Sequence, residues 1–140
     1  MLDRGKKSLD DVSFLIHLSA MSLPRPLPCA FYRTATGNEP VREWLKALPK
    51  GECQQVGSDI KSVQYGWPLG LPLVGFLGDG LWEVRSRLAS RIARTIFFVQ
   101  DGTIILLHGF IKKSRATPAQ ELDLAKRRKR EVQNQSPHRK

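Results

Sequence analysis

LWEVRSRLASRIARTIFFVQDGTIILLHGFI, residues 81 to 111, is the stretch on which the fold turns. From Leu81 to Arg87 the side chains alternate. Trp82 and Val84 share one face, and Glu83, Arg85 and Arg87 share the other, the period of two that a strand imposes. Arg91 to Val99 reads as a second strand. The Asp101-Gly102 pair between apolar runs marks a two-residue hairpin, because both central positions of its tight turn need positive φ. Thr103 to Ile111 is nearly all apolar, as expected of a strand covered on both faces. Upstream, Gly78-Asp79-Gly80 is another turn, and residues 66 to 80 read as a Gly- and Pro-rich loop with one short strand at Leu73 to Phe76. The central region is therefore a meander of three or four antiparallel strands.

Helical patterns flank this meander. Cys29 to Thr34 is short and apolar-aromatic and predicts a first strand, stopped by Gly37 and Asn38. Asn38 is a candidate N-cap, followed by Glu39 and Pro40 in a first helical turn. Val41, Trp44, Leu45 and Leu48 then form one apolar helix face. Pro49-Lys50-Gly51 breaks that helix. A second helix is expected from about Glu52 to Tyr65, with Cys53, Val56, Ile60 and Val63 on one face, so the pair forms a helical hairpin. After the meander, Thr117 is placed as an N-cap with Pro118 at the first helical position and Gln120 completing a capping box. That last helix carries Leu122 and Ala125 and ends on the basic run Lys126 to Arg130. The expected class is α+β, with an N-terminal strand and helical hairpin packed on a small antiparallel sheet, helices on one sheet face, and a C-terminal helix.

Residues 1 to 28 stand apart. Ser8 caps a candidate short helix carrying Val12, Leu15, Ile16 and Leu18, and SLPRPLP (22 to 28) reads as an extended, mobile linker. Met21 precedes that linker. Either the working chain begins there and the first twenty residues are an upstream translation artefact, or the segment is a genuine extension. The domain then spans residues 29 to 132, and residues 133 to 140 read as a disordered tail. The apolar run Val12 to Ala20 abuts Asp10 and Asp11 and lacks a cleavage pattern, so a signal peptide is not indicated and a cytoplasmic protein is expected.

The 140 residues carry a net charge of +10, which favours polyanionic partners. Cys29 and Cys53 have no metal-binding spacing and read as core residues or bystanders. No metal constellation and no cofactor motif is present in the pattern, and no membrane partner is expected.

Four blocks taken in order carry a family likeness: EPVREWLKALP, GDGLWEVRSR, RIARTIFFV followed by the Asp-Gly turn, and LLHGFIKKSRATPAQELDLAKRR. In them the chain resembles toxins of the RelE/ParE superfamily, in the phage-derived HigB-like branch. The likeness covers about residues 29 to 132 and implies a RelE-like fold. It implies the toxin of a type II toxin–antitoxin pair, a cognate antitoxin that is often a helix-turn-helix protein, and metal-independent cleavage of mRNA, commonly on the ribosome. ParE-like relatives instead poison gyrase, and a non-toxic phage-derived binding protein is a third reading, since a fold alone does not choose an activity. The chain departs from the pattern at SRATP, where many members carry another lysine before Thr-Pro.

A metal-free ribonuclease needs a base for the 2′-hydroxyl, cations for the phosphorane, and an acid for the leaving oxygen. Five residues are candidates. Arg85 resembles the arginine of the family's strand block and suits a bidentate grip on phosphate. Glu83 is a candidate base, or else orients Arg85. Arg94 interrupts the apolar face of Ile92 and Ile96, a costly placement unless it is paired or functional. It matches the family's next strand block, and its structural alternative is an ion pair with Glu83. Lys112 and Lys113 end the last strand, placed for phosphate contact or proton transfer. Arg87 and the run Lys126, Arg127, Arg128, Lys129 and Arg130 are expected to grip RNA phosphates, the run also gaining from the helix macrodipole as a helix end. His108 reads as a satisfied core residue, and His17 and His138 lie in the tails.

Overall fold

The computed structural model describes residues 25–135. The element order is β1 (Cys29–Phe31), α1 (Pro40–Ala47), α2 (Lys50–Gly66), β2 (Val74–Gly78), β3 (Leu81–Arg87), β4 (Ile92–Gln100), β5 (Thr103–Ile111) and α3 (Ala119–Gln135). The helix expected from Ser8, the choice between Met1 and Met21, His17, His138 and residues 136 to 140 lie outside the described residues.

The five strands form one sheet in the order β1-β5-β4-β3-β2. The meander is antiparallel throughout, and its turns follow their chemistry. Asp79 and Gly80 have φ of 57° and 75°, and Asp101 and Gly102 have φ of 51° and 75°, the double positive φ of the tight hairpin. The sheet departs from the expected purely antiparallel one at its edge, where β1 pairs parallel with β5. The long connection that parallel pairing requires runs from β1 through the α1–α2 hairpin and the strands β2 to β4 before β5 begins.

The α+β class holds, but the helices cover both faces of the sheet rather than one. Val41, Val56, Ile60 and Val63 of the hairpin pack with Val74, Val84, Ala93, Phe97, Ile104 and Leu106. On the other face Ala125 of α3 packs with Tyr32, Leu81, Ile96, Phe98, Leu107 and Phe110. Thr103 to Ile111 thus faces two layers, which is why its apolar run has no alternation. The β3 face that carries Glu83 also carries Leu81, which packs with Ala125 of α3.

Boundaries shift where local chemistry decides. The N-cap of α1 is Glu39, not Asn38, with Pro40 in the first turn and no side-chain cap bond. The interruption after α1 is shorter than Pro49-Lys50-Gly51 suggests, because Pro49 caps α2 and Lys50 already lies inside it. Leu27 and Pro28, expected in a mobile linker, are tied down: Leu27 exchanges bonds with Gln64, and the Pro28 carbonyl accepts from Ile104. At the other end α3 continues through Gln135, so residues 133 to 135 are helix rather than tail. Both cysteines are free and partly buried. Burial pushes the Cys29 thiol from its ordinary value near 9.0 up to about 11. The protonated thiol is the form the fold favours, so this contribution is intact below pH 9 and is lost as the pH rises towards 11.

One close approach sets the distance between α1 and the sheet. A Cβ added at Gly109 of β5 would lie 2.2 Å from Cε3 of the Trp44 indole. The indole therefore rests on bare backbone, and any side chain there forces helix and strand apart. Gly109→Ala is expected to lower stability by about 2 kcal/mol through overpacking. Urea unfolding reads this as a lower midpoint, partly restored in Gly109→Ala combined with Trp44→Leu. An unchanged midpoint in the single variant contradicts this packing.

Candidate anion-binding site

The β3–β4 register places Arg85 directly opposite Arg94 and Glu83 opposite Ile96. Like charges facing each other across strands destabilise a sheet. Glu83 resolves the conflict. Its carboxylate is fully buried; Oε2 accepts from Arg85 Nε at 3.0 Å and forms an ion pair with Arg94 Nη1, also at 3.0 Å. Its other oxygen accepts from the Thr117 hydroxyl at 2.7 Å, and that hydroxyl accepts from Arg94 Nη1 at 3.0 Å. One carboxylate thus joins β3, β4 and the segment leading into α3.

This geometry assigns Glu83 the orienting role. Both oxygens are engaged and none of the side chain reaches solvent, so a base at Glu83 would have no route to a substrate hydroxyl. Arg94 forms the ion pair weighed as its structural alternative, and its side chain is 6% exposed. Among the described residues its Nε is buried without a partner. Thr117, expected as a helix cap, spends its hydroxyl across the fold on this network, and α3 starts at Ala119.

Arg85 differs from Arg94 in keeping 37% of its side chain exposed. Its guanidinium lies flat against β2 at Gly75. A Cβ built there would stand 2.8 Å from Nη2 and 3.0 Å from Cζ. Glycine at position 75 is therefore the space that the guanidinium occupies.

Arg85, Arg87, Arg94 and Lys112 line one cleft of about 430 Å3, together with Gln55 and Asp59 of α2. Four cations from two strands and one strand end thus meet one acidic side chain. The cleft adjoins a shallower groove of about 590 Å3, which shares Arg87 and Lys112 and adds Arg91, Lys113 and Arg115. Lys113 is therefore not in the first cleft but one step along. Arg91 is committed to a two-pronged pair with Glu52, its Nη2 lying 2.6 Å from Oε1. The participation of Asp59 and Gln55 was not visible in the sequence, because only the packing of α2 beside β3 brings them to the strand ends.

The basic run behaves differently from expectation. It sits in the middle of α3, and no basic residue lies in the last turn, so it gains nothing from the helix end. Arg128 donates to the Leu107 carbonyl at 2.8 Å and stacks over Tyr32; burial lowers its pKa from the usual guanidinium value. Lys129 donates to the Asp79 carbonyl at 2.5 Å, and Arg127 lies 4.0 Å from Glu131. Three of the five cations thus fasten α3 to the sheet or to itself, leaving Lys126 half-buried and Arg130 exposed. His108 is a satisfied, mostly buried histidine, with Nε2 2.5 Å from Glu121 and the ring stacked on Phe110.

Among the described residues no group of three or more His, Cys, Asp or Glu side chains could hold a metal, and no helix is long and apolar enough to cross a membrane. No curated protein matches the chain. A family model does: that of the phage-derived Gp49-like proteins matches residues 43–130. The chain belongs to this Gp49-like family, which is RelE-toxin-like in general character. The α+β architecture, with its five-stranded mixed sheet and C-terminal helix, is consistent with a RelE-like fold.

The two partners of the network should separate in stability measurements. Glu83→Ala strands a buried guanidinium and is expected to cost about 3–5 kcal/mol. Arg85→Ala removes a half-exposed partner and should cost about 1 kcal/mol or less. Equal losses in chemical unfolding would mean that Glu83 is not the anchor.

Proposed function

We propose that this protein is the toxin of a type II toxin–antitoxin pair, HigB-like, and cleaves mRNA without a metal. The observation that carries this reading is the cleft where Arg85, Arg87, Arg94 and Lys112 converge. Half of their charge is not cancelled locally, since Glu83 and Asp59 supply two carboxylates against four cations. Such a site favours a ligand whose negative charge rises during reaction, as the pentacoordinate phosphate of RNA cleavage does. Arg85 holds Nε on Glu83 and keeps its terminal nitrogens at the cleft, a pre-oriented fork for two phosphate oxygens. In this reading the Lys112 ammonium, which lines the same cleft, protonates the leaving 5′-oxygen. The adjoining groove with Lys113 and Arg115 offers neighbouring phosphates a path, and Lys126 and Arg130 add sequence-independent attraction. Family membership supports the toxin reading. The excess positive charge suits capture by an antitoxin segment rich in Asp and Glu, on a helix-turn-helix protein encoded alongside.

Inducible expression with mapping of RNA 5′ ends tests this. Growth arrest with new 5′ ends, relieved by the neighbouring gene product, is expected. In cleavage assays Arg85→Ala should lose about a hundredfold to a thousandfold in rate, the usual cost of removing one pre-oriented donor. Arg85→Lys should also be impaired, because an ammonium lacks the planar fork. A 2′-deoxy substitution at the cleavage site should abolish cutting. Arrest with intact transcripts and gyrase-linked DNA breaks would replace this reading with gyrase poisoning.

A further inference from the structure

With Glu83 sealed beneath Arg85 and Arg94, the cleft still needs a group to accept the 2′-hydroxyl proton. Arginine and lysine side chains supply four of its polar walls, and as cations they have no lone pair to offer. Asp59 of α2 is, among the described residues, the one carboxylate that lines the cleft. It is only partly buried. Gln55, one turn earlier, donates from Nε2 to Asp59 Oδ1 at 3.1 Å. That bond fixes the carboxylate's rotation and occupies one of its two oxygens. No other side chain among the described residues engages it, so Oδ2 retains its acceptor capacity. The groups facing it are Arg85 and Arg87 from β3, Arg94 from β4, Lys112 from the end of β5 and Gln55 from its own helix.

We propose that Asp59 is the general base of this cleft, an inference that rests on reading the cleft as an RNA-cleaving site. The 2′-hydroxyl proton passes to the Asp59 carboxylate as the 2′-oxygen bonds to phosphorus. The bond from phosphorus to the 5′-oxygen then breaks, and that oxygen takes a proton from the Lys112 ammonium. The products are a 2′,3′-cyclic phosphate and a 5′-hydroxyl. Asp59 and Lys112 return to their starting states by exchanging protons with water. The base then comes from α2 and the acid from the end of β5, both lining the one cleft, as an in-line displacement with one proton acceptor and one proton donor needs. Gln55 is a positioning residue that sets the direction of the free oxygen.

The test is single-turnover cleavage of a short RNA across a pH series, by the full chain and by Asp59→Asn, Asp59→Glu and Gln55→Ala. Binding of the same RNA carrying 2′-deoxy sugars is measured in parallel. Asp59→Asn keeps the shape of the side chain and is expected to bind normally while losing about a hundredfold or more in rate, the usual worth of a general base. The wild-type rate should fall on the acid side as a carboxylate takes up its proton, and Asp59→Asn should lack that acid limb. Asp59→Glu should recover part of the rate, and Gln55→Ala should lose less than Asp59→Asn. If the wild type cleaves and Asp59→Asn cleaves equally, with the same acid limb, Asp59 is not the base while the cleft's function stands. If the wild type leaves the RNA intact on and off ribosomes, the reading of the cleft itself falls. Unfolding midpoints accompany each variant, and a rate loss in Asp59→Asn that tracks a lost fold, with Asp59→Glu folded and its pH profile unchanged, also overturns the proposal.

Discussion

A single buried carboxylate holds the working end of this sheet together. Arg85 and Arg94 face each other across neighbouring strands, and without Glu83 between them β3 and β4 would carry an uncompensated repulsion, with Arg94 buried. Burying a carboxylate is itself costly, and the cost is offset only when both of its oxygens are well paired. Glu83 meets that condition with two guanidiniums and the Thr117 hydroxyl. The same bonds then determine how the arginines present themselves. Arg94 is pinned inside, and Arg85 is held at Nε with its far end against Gly75. Stability and site geometry are thus one arrangement: what satisfies the buried charge also aims the exposed one.

Thr117 extends this arrangement to α3. It stands two residues before the helix, so the docking of α3 and the alignment of the arginines are mechanically linked. Several polar contacts secure the docking. Glu131 accepts from the Tyr32 hydroxyl, Arg128 reaches the Leu107 carbonyl, and Lys129 reaches the Asp79 carbonyl in the β2–β3 turn. The Tyr32 hydroxyl has its pKa raised by burial and by its bond to Glu131, so it stays a donor through the physiological range. A basic stretch that in isolation reads as a nucleic-acid tail is, in the folded chain, largely a set of fasteners. Only Lys126 and Arg130 of the run are left unengaged by α3, while the oriented cations lie at the strand ends.

Much of the architecture was legible because it rests on local rules. Both Asp-Gly turns, the alternation in β3, the doubly covered β5 and the helical hairpin all follow from backbone chemistry and periodicity. The parallel pairing of β1 was not legible, since nothing local distinguishes an edge strand that runs beside β5 from one packed elsewhere. Arg85, Arg94 and Lys112 were recognisable as candidates, and the structure gathers them. Whether Glu83 is a base or orients Arg85 was left open by the sequence, because strand alternation says which residues share a face, not which of them the packed fold buries. The same limit hid Gly75 and Asp59. One matters for the side chain it lacks, and the other reaches the cleft only through the packing of α2 beside β3.

The central claim is that Arg85 acts through the position that Glu83 and Gly75 give it. Gly75→Ala tests this most directly, because it adds one methyl group, changes no charge and touches the movable end of Arg85 rather than backbone. The quantity to measure is the single-turnover cleavage rate of a short RNA, alongside the unfolding midpoint. The account predicts a rate reduced by about tenfold or more, since displacing a catalytic group by an ångström costs up to about a hundredfold, with the midpoint nearly unchanged. Normal cleavage by Gly75→Ala would contradict it.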